Sequence, residues 1–312
     1  MTKRNKPASQ TNNSVSSGSV LSNRVQSKLN SVLSCLPFGC GSDKPVVAVL
    51  RLDGVIGKGG ALKSGLSISS LNKMIESMFN INHLDAVCLN INSPGGSPVQ
   101  SELIASRIIG LSKEKDIPVF SFVEDVAASG GYWLACAGEK IYASQSSIVG
   151  SIGVISSGFG FHQAMEKLGV ERRVYTEGLS KSVLDPFLPA KQEDIKIINK
   201  IQKDVHQHFI NTVKKRRAGK LTQNDELLFN GEFWTGQTAV DFGLVDGIDD
   251  LYSFIQKRYG DDVKIEYIEN KPSWFKKKLG VDSVSKEFAA DFSESLVDSL
   301  ESRLISSRFG IK

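Results

Sequence analysis

The stretch IPVFSFVEDVAASGGYWLACA, residues 117–137, decides the fold. Ile117 to Val123 is an apolar run of strand length, and Tyr132 to Ala137 reads as a small-residue helix that packs deep in a core. Ser129 therefore arrives straight after a strand, at a helix N-terminus. Unpaired backbone N–H groups and the positive end of the helix dipole favour negative charge there, as an attacking alkoxide or an oxyanion presents. The competing reading of an isolated serine in such a place is a simple N-cap.

Working outward, apolar runs at Val46 to Leu52, Ala86 to Ile91 and Ile141 to Ala143 also alternate with helical patterns. That alternation predicts β-α-β units and a parallel sheet, an α/β fold. Asp194 to Lys215 reads as a long helix and Thr235 to Phe242 as a shorter one. Asn92, Ser93, Pro94, Gly95 and Gly96 follow the second apolar run and precede the helical pattern of Val99 to Leu111. Paired glycines in a strand-to-helix turn let the backbone approach a ligand and aim its N–H groups at it. A tight turn punctuated by Pro and Gly is the plainer account of the same residues.

A serine nucleophile needs a proton acceptor. The four histidines, at 83, 162, 206 and 208, all read as surface or satisfied structural residues. A lysine can serve instead if burial holds its amine neutral. Lys181 is the candidate, in an oddly apolar, Pro-bearing loop from Glu177 to Phe187, although a solvated loop charge is the blander reading. Lowering an ammonium pKa from about 10.4 towards 7 or 8 costs about 3 to 5 kcal/mol of charged-state stability, so such a site must be dry.

Together these segments, with Ser147 to Val154 and with Phe233, Trp234, Thr235, Gly236, Ala239 and Gly243 to Asp246, resemble the serine peptidases of signal peptide peptidase A, or protease IV, and their SohB-type relatives. The resemblance runs over roughly Val46 to Asp250. It implies a crotonase or Clp-protease-like spiral of β-α-β units with helical extensions. It also implies Ser129 as nucleophile, Lys181 as general base, Ser151 as the hydroxyl that orients the amine, and Gly95 and Gly96 as the oxyanion hole. Double-length relatives draw the lysine from an earlier segment, which leaves Lys58 and Lys63 as rivals; the single-length pattern matches Lys181. On this basis the chain is expected to be a serine endopeptidase that cleaves apolar peptides such as signal peptides or membrane-protein fragments, in a homo-oligomeric ring. The alternatives are a crotonase-like acyl-thioester enzyme and a catalytically inactive ring scaffold.

The 312 residues, 40% hydrophobic and 23% charged, suffice for a sizeable core. The expected division is a basic, Ser/Asn-rich leader over 1–44, a peptidase domain over 45–255 and a C-terminal extension over 256–312. The leader carries six basic residues against one acidic, a net +5 where the whole chain is +4. Leu21, Val25, Leu29, Val32, Leu33 and Leu36 fall at helical spacing within it, which suits either peripheral contact with an anionic membrane or packing on protein. Trp274 and Phe275 beside Lys276 to Lys278 are a second hint of membrane contact.

No apolar stretch reaches about 18 residues and no compact signal-peptide core opens the chain, so a cytoplasmic location is expected, peripheral at the inner membrane or, less favoured, after organellar import. Cys35, Cys40, Cys88 and Cys136 form no disulfide framework. The glycines around Lys58 lack P-loop spacing, and neither a cofactor, a metal nor a nucleic-acid partner is expected.

Overall fold

A computed structural model of the chain describes residues 44–57, 65–178 and 180–269. The leader before Lys44, Cys35 and Cys40, the rival lysines Lys58 and Lys63, and the Trp274 to Lys278 segment lie outside the described residues.

The four apolar runs are strands β1 (Val46–Asp53), β2 (Leu84–Ser93), β3 (Val119–Ala128) and β4 (Lys140–Ala143). They pair in parallel as β1 with β2, β2 with β3 and β3 with β4. Buried parallel strands face apolar neighbours on both sides, which is why they read as continuous runs. Alternate side chains divide cleanly: Ala48, Leu50, Val87, Leu89 and Ile91 enter the larger core, while Val47, Val49, Ala86, Cys88, Phe120 and Phe122 enter a second core on the other face.

The crossovers between these strands are helical. Helix α1 (Ile68–Phe79) starts at a Ser67–Ser70 capping box and buries Leu71, Ile75, Met78 and Phe79 along one stripe. Helix α2 (Pro98–Lys115) has Pro98 in its first turn and the Ser97 hydroxyl on Gln100 N–H, and it stops at Asp116 in the left-handed region. Helix α3 (Gly130–Ala135) is buried throughout. This is the expected spiral of β-α-β units.

The remaining described elements are β5 (Ile148–Gly150), α4 (His162–Lys167), the long α5 (Gln192–Arg216), α6 (Asp225–Leu228), β6 (Phe233–Thr235), α7 (Gly236–Asp241), β7 (Gly247–Ile248), α8 (Leu251–Tyr259) and β8 (Lys264–Ile268). The strand order is β6-β5-β3-β2-β1-β8, with β4 and β7 branching from β3. Among the described residues only the β5–β6 pair is antiparallel. Helix α8 covers the second core with Leu251, Phe254 and Ile255. Helix α8 runs through residue 255, the expected end of the peptidase domain, and β8 beyond it pairs with β1. The sheet extends to Ile268.

One segment stands apart. Between Ile152 and Asp194 no described residue is buried. Ile155, Phe159, Leu168, Val170 and Tyr175 are all more than half exposed, Tyr175 at 90%.

Candidate active site

Because β2 and β3 run parallel and Ser93 pairs with Ala127, the turns that leave these strands emerge side by side. The Asn92 amide ties them at this level, donating to the Asp125 carboxylate at 2.9 Å and accepting from Val126 N–H at 3.3 Å. Ser129 comes next, at φ 51° and ψ −121°. A non-glycine residue in that region is strained and persists only where its surroundings over-determine it. Its N–H donates to Gly150 O at 2.8 Å, and its carbonyl accepts from Trp133 N–H at 3.1 Å. Its hydroxyl makes no capping hydrogen bond to α3. The residue holds the N-cap position without doing an N-cap's work, so the capping account of Ser129 fails.

The glycine turn packs directly on this serine. A Cβ on Gly95, which sits at φ 104°, would lie 2.8 Å from Ala128 O and 2.9 Å from both Gly130 N and Ser129 Cβ. Gly96 approaches the Ile56 backbone more closely still, a Cβ there lying 2.1 Å from Ile56 O, and the two are bridged in parallel through Ile56 N–H to Gly95 O at 2.8 Å and Ser97 N–H to Ile56 O at 2.8 Å. That bridge uses the Gly95 carbonyl and the Ser97 N–H on either side of Gly96, and the Gly96 nitrogen itself lies near Gly130, 3.4 Å from where a Cβ on that residue would stand. The Gly95 N–H instead donates to Ser93 Oγ at 3.2 Å. Gly130 supplies an N–H from the first turn of α3, a donor that reading the glycine turn alone did not single out.

A cavity of only about 10 Å³ beside Ser129 is lined by Gly96, Pro98, Trp133, Val154, Val205 and Phe209. Trp133 stacks on Phe209 of α5 at 4.7 Å between ring centroids. Of the histidines, His206 Nε2 lies 3.0 Å from Ile152 O and His208 Nε2 lies 3.0 Å from Glu102, so both engage other groups than Ser129. A larger open cleft of about 420 Å³ lies elsewhere, where Asp250 is engaged with the N-terminus of α8 and Asp249 with Lys257.

Ser151 sits one residue beyond the Gly150 carbonyl that holds Ser129, at φ 51°, with its N–H on Glu232 O at 2.6 Å. Lys181 is exposed at the tip of a turn, its N–H donating to Gly178 O at 3.1 Å. Among the described residues no hydrogen bond joins Lys181 to Ser129 or to Ser151. The single chain thus brings Ser129, Gly95, Gly96 and the Ser151 segment together and leaves Lys181 outside, because residues 155–190 add nothing to the core.

The model of peptidase family S49 matches residues 112–262, a span that holds Ser129, Ser151 and Lys181. The protein named "Putative protease slr0021" of Synechocystis sp. is 30% identical over 204 residues, which are 64% of this chain and 73% of that protein. The chain belongs to peptidase family S49. The S49 chain is also similar to the chloroplastic serine protease SPPA of Arabidopsis thaliana, at 30% identity over 69% of this chain and 32% of that protein. A Brucella melitensis protein named Na(+)/H(+) antiporter NhaA is 49% identical over 85% of this chain but only 37% of its own length. The S49 chain thus spans little more than a third of that protein. Among the described residues no helix is long and apolar enough to cross a membrane.

Proposed function

We propose that this S49 chain is a serine endopeptidase with Ser129 as nucleophile, Lys181 as general base and the N–H groups of Gly96 and Gly130 as the oxyanion hole. The observation that carries the reading is the strained, uncapped Ser129 packed against Gly95. A neutral Lys181 amine takes the Ser129 proton as Oγ attacks the scissile carbonyl. The carbonyl electrons move onto oxygen, and the two N–H groups stabilise that oxyanion more strongly than the starting carbonyl. Collapse expels the amine, which takes the proton from Lys181, and water then releases the acyl group by the same steps in reverse. Of the two glycines first expected to form the hole, Gly95 acts through its lack of a side chain, since Ser93 Oγ engages its N–H.

The apolar side chains next to Ser129, those of Trp133, Val154, Val205 and Phe209, support extended apolar peptides as substrates, such as spent signal peptides or fragments of membrane proteins. Assembly with further copies of the chain belongs to the same reading. An exposed run of large apolar side chains between Ile155 and Leu188 is what a partner covers, and cover of that kind gives Lys181 the dry setting a base requires. The test is hydrolysis of a fluorogenic apolar peptide by wild type, Ser129→Ala and Lys181→Ala. Loss in both variants supports the reading, and equal hydrolysis by all three overturns it.

A further inference from the structure

The turn that carries Lys181 is gripped by two carboxylates. Asp194, buried in the first turn of α5, accepts the Leu184 N–H at 3.2 Å, which fixes Leu184 at a φ of 50°. Asp185 has a side chain only 4% exposed and is fully engaged: Ser182 Oγ donates to it at 3.1 Å, Phe187 N–H at 3.0 Å and Arg172 Nη2 at 3.0 Å. Arg172 also lies over the Phe187 ring at 4.7 Å, and Phe187 in turn meets Phe161 at 5.8 Å. With all these donors on it, Asp185 leaves Lys181 alone, and among the described residues Lys181 has no ion pair.

We propose that Arg172 is a positioning residue for the base: by neutralising Asp185 it keeps a carboxylate four residues away from capturing Lys181 as an ammonium. The inference rests on the reading of Lys181 as the base. A carboxylate beside an amine favours its charged form, and a guanidinium beside it disfavours that form. The other charged groups around the turn are Glu177 before it, Asp194 and Glu193 from the start of α5, and Glu171 and Arg173, which pair with each other at 2.8 Å; His162 opens α4 next to Phe161, whose N–H meets Pro186 O. The Phe187 N–H first, then Ser182 and Arg172, hold the Asp185 carboxyl below its ordinary value against the opposing pull of burial.

The test is the pH profile of kcat/KM for the full chain on the fluorogenic peptide. Arg172→Gln is expected to move the acid limb up by about one pH unit and Asp185→Asn to move it down, with the double variant returning close to wild type. Arg172→Lys keeps the charge and is expected to keep the limb. A purely structural role lowers activity in the single variants without moving the limb in opposite directions, and that result overturns the inference. If Arg172→Gln fails to fold, Asp185→Asn and the double variant decide it: an unmoved limb in Asp185→Asn overturns it. Lys181→Ala separates the two levels. Full activity in that variant sinks the Ser-Lys reading itself, whereas an inactive Lys181→Ala beside superposable profiles sinks only the role of Arg172.

Discussion

The Ser129 N–H meets the Gly150 carbonyl at 2.8 Å, so the strained serine is pinned by the strand that leads into Ser151. Strain held this way stabilises nothing by itself and is relieved by a residue without a Cβ. Ser129→Gly is therefore expected to raise stability by about 1 kcal/mol, an increase in Tm of about 2–4 °C, while peptide hydrolysis falls about 10⁴-fold or more. Calorimetry alongside the fluorogenic assay checks both halves. A loss of stability on removing the side chain would overturn the strain at Ser129.

Gly95 is the second point of strain. A methyl group there would lie within 2.9 Å of Ala128 O, Gly130 N and Ser129 Cβ, and the positive φ disfavours any side chain. Gly95→Ala is expected to cost more than about 1 kcal/mol and to lower kcat by about 100-fold through displacement of Ser129. Urea titration and steady-state kinetics measure the two effects separately. Unchanged kcat in a folded Gly95→Ala variant would remove the glycine turn from the site.

How far the sequence reveals this site depends on how local each part is. Strands β1 to β4 are legible because burial on both faces leaves uninterrupted apolar runs. The last part of β3 is hidden behind Glu124 and Asp125, whose side chains leave the core to meet Arg51, Asn90 and Asn92. Strands β5, β6 and β7 have three, three and two residues, too few for a periodic signal, and edge strand β8 carries Lys264 and Glu266. Helix α1 was missed although Leu71, Ile75, Met78 and Phe79 hold helical spacing behind Ser67. Ser129 and the glycine turn are readable because each sits where a strand meets a helix. The grip of Arg172 on Asp185 crosses thirteen residues of irregular chain and leaves no pattern to read.

Under α3 lies a charge network that sequence patterning does not show. Arg217, 1% exposed, bonds the Asp246 carboxylate at 2.5 Å and Gly243 O at 2.8 and 2.9 Å, while Arg216 donates to the carbonyls of Cys136, Ala137 and Gly138 just past the end of α3. Burial alone pushes the Asp246 carboxyl up, but hydrogen bonds from Arg217, Lys220 and Ile141 N–H together hold it below its ordinary value of 3.8. A carboxyl lowered on folding contributes stability that is complete above its unfolded value and is lost as pH falls through the folded one. Urea midpoints measured from pH 7 down to pH 3 are expected to fall below about pH 4. Arg217→Ala is expected to cost about 3–5 kcal/mol at pH 7 and to flatten that acid fall. Parallel pH curves for the two proteins would exclude Arg217 as the source of the shift.

The exposed arm separates folding from function. Leu168 is 76% exposed and Tyr175 90% exposed, so replacing both with serine removes nothing from the core. Surface changes of this kind alter the stability of an isolated chain by no more than about 0.5 kcal/mol each. If copies of the chain cover this surface, the double variant is expected to fold with an unchanged Tm at low concentration, to sediment as a smaller species than wild type, and to lose peptide hydrolysis with it. Hydrolysis should then rise with protein concentration in the wild type and stay flat in the variant. A variant that sediments as wild type and remains fully active would show that Lys181 reaches Ser129 without this surface, by a movement within one chain.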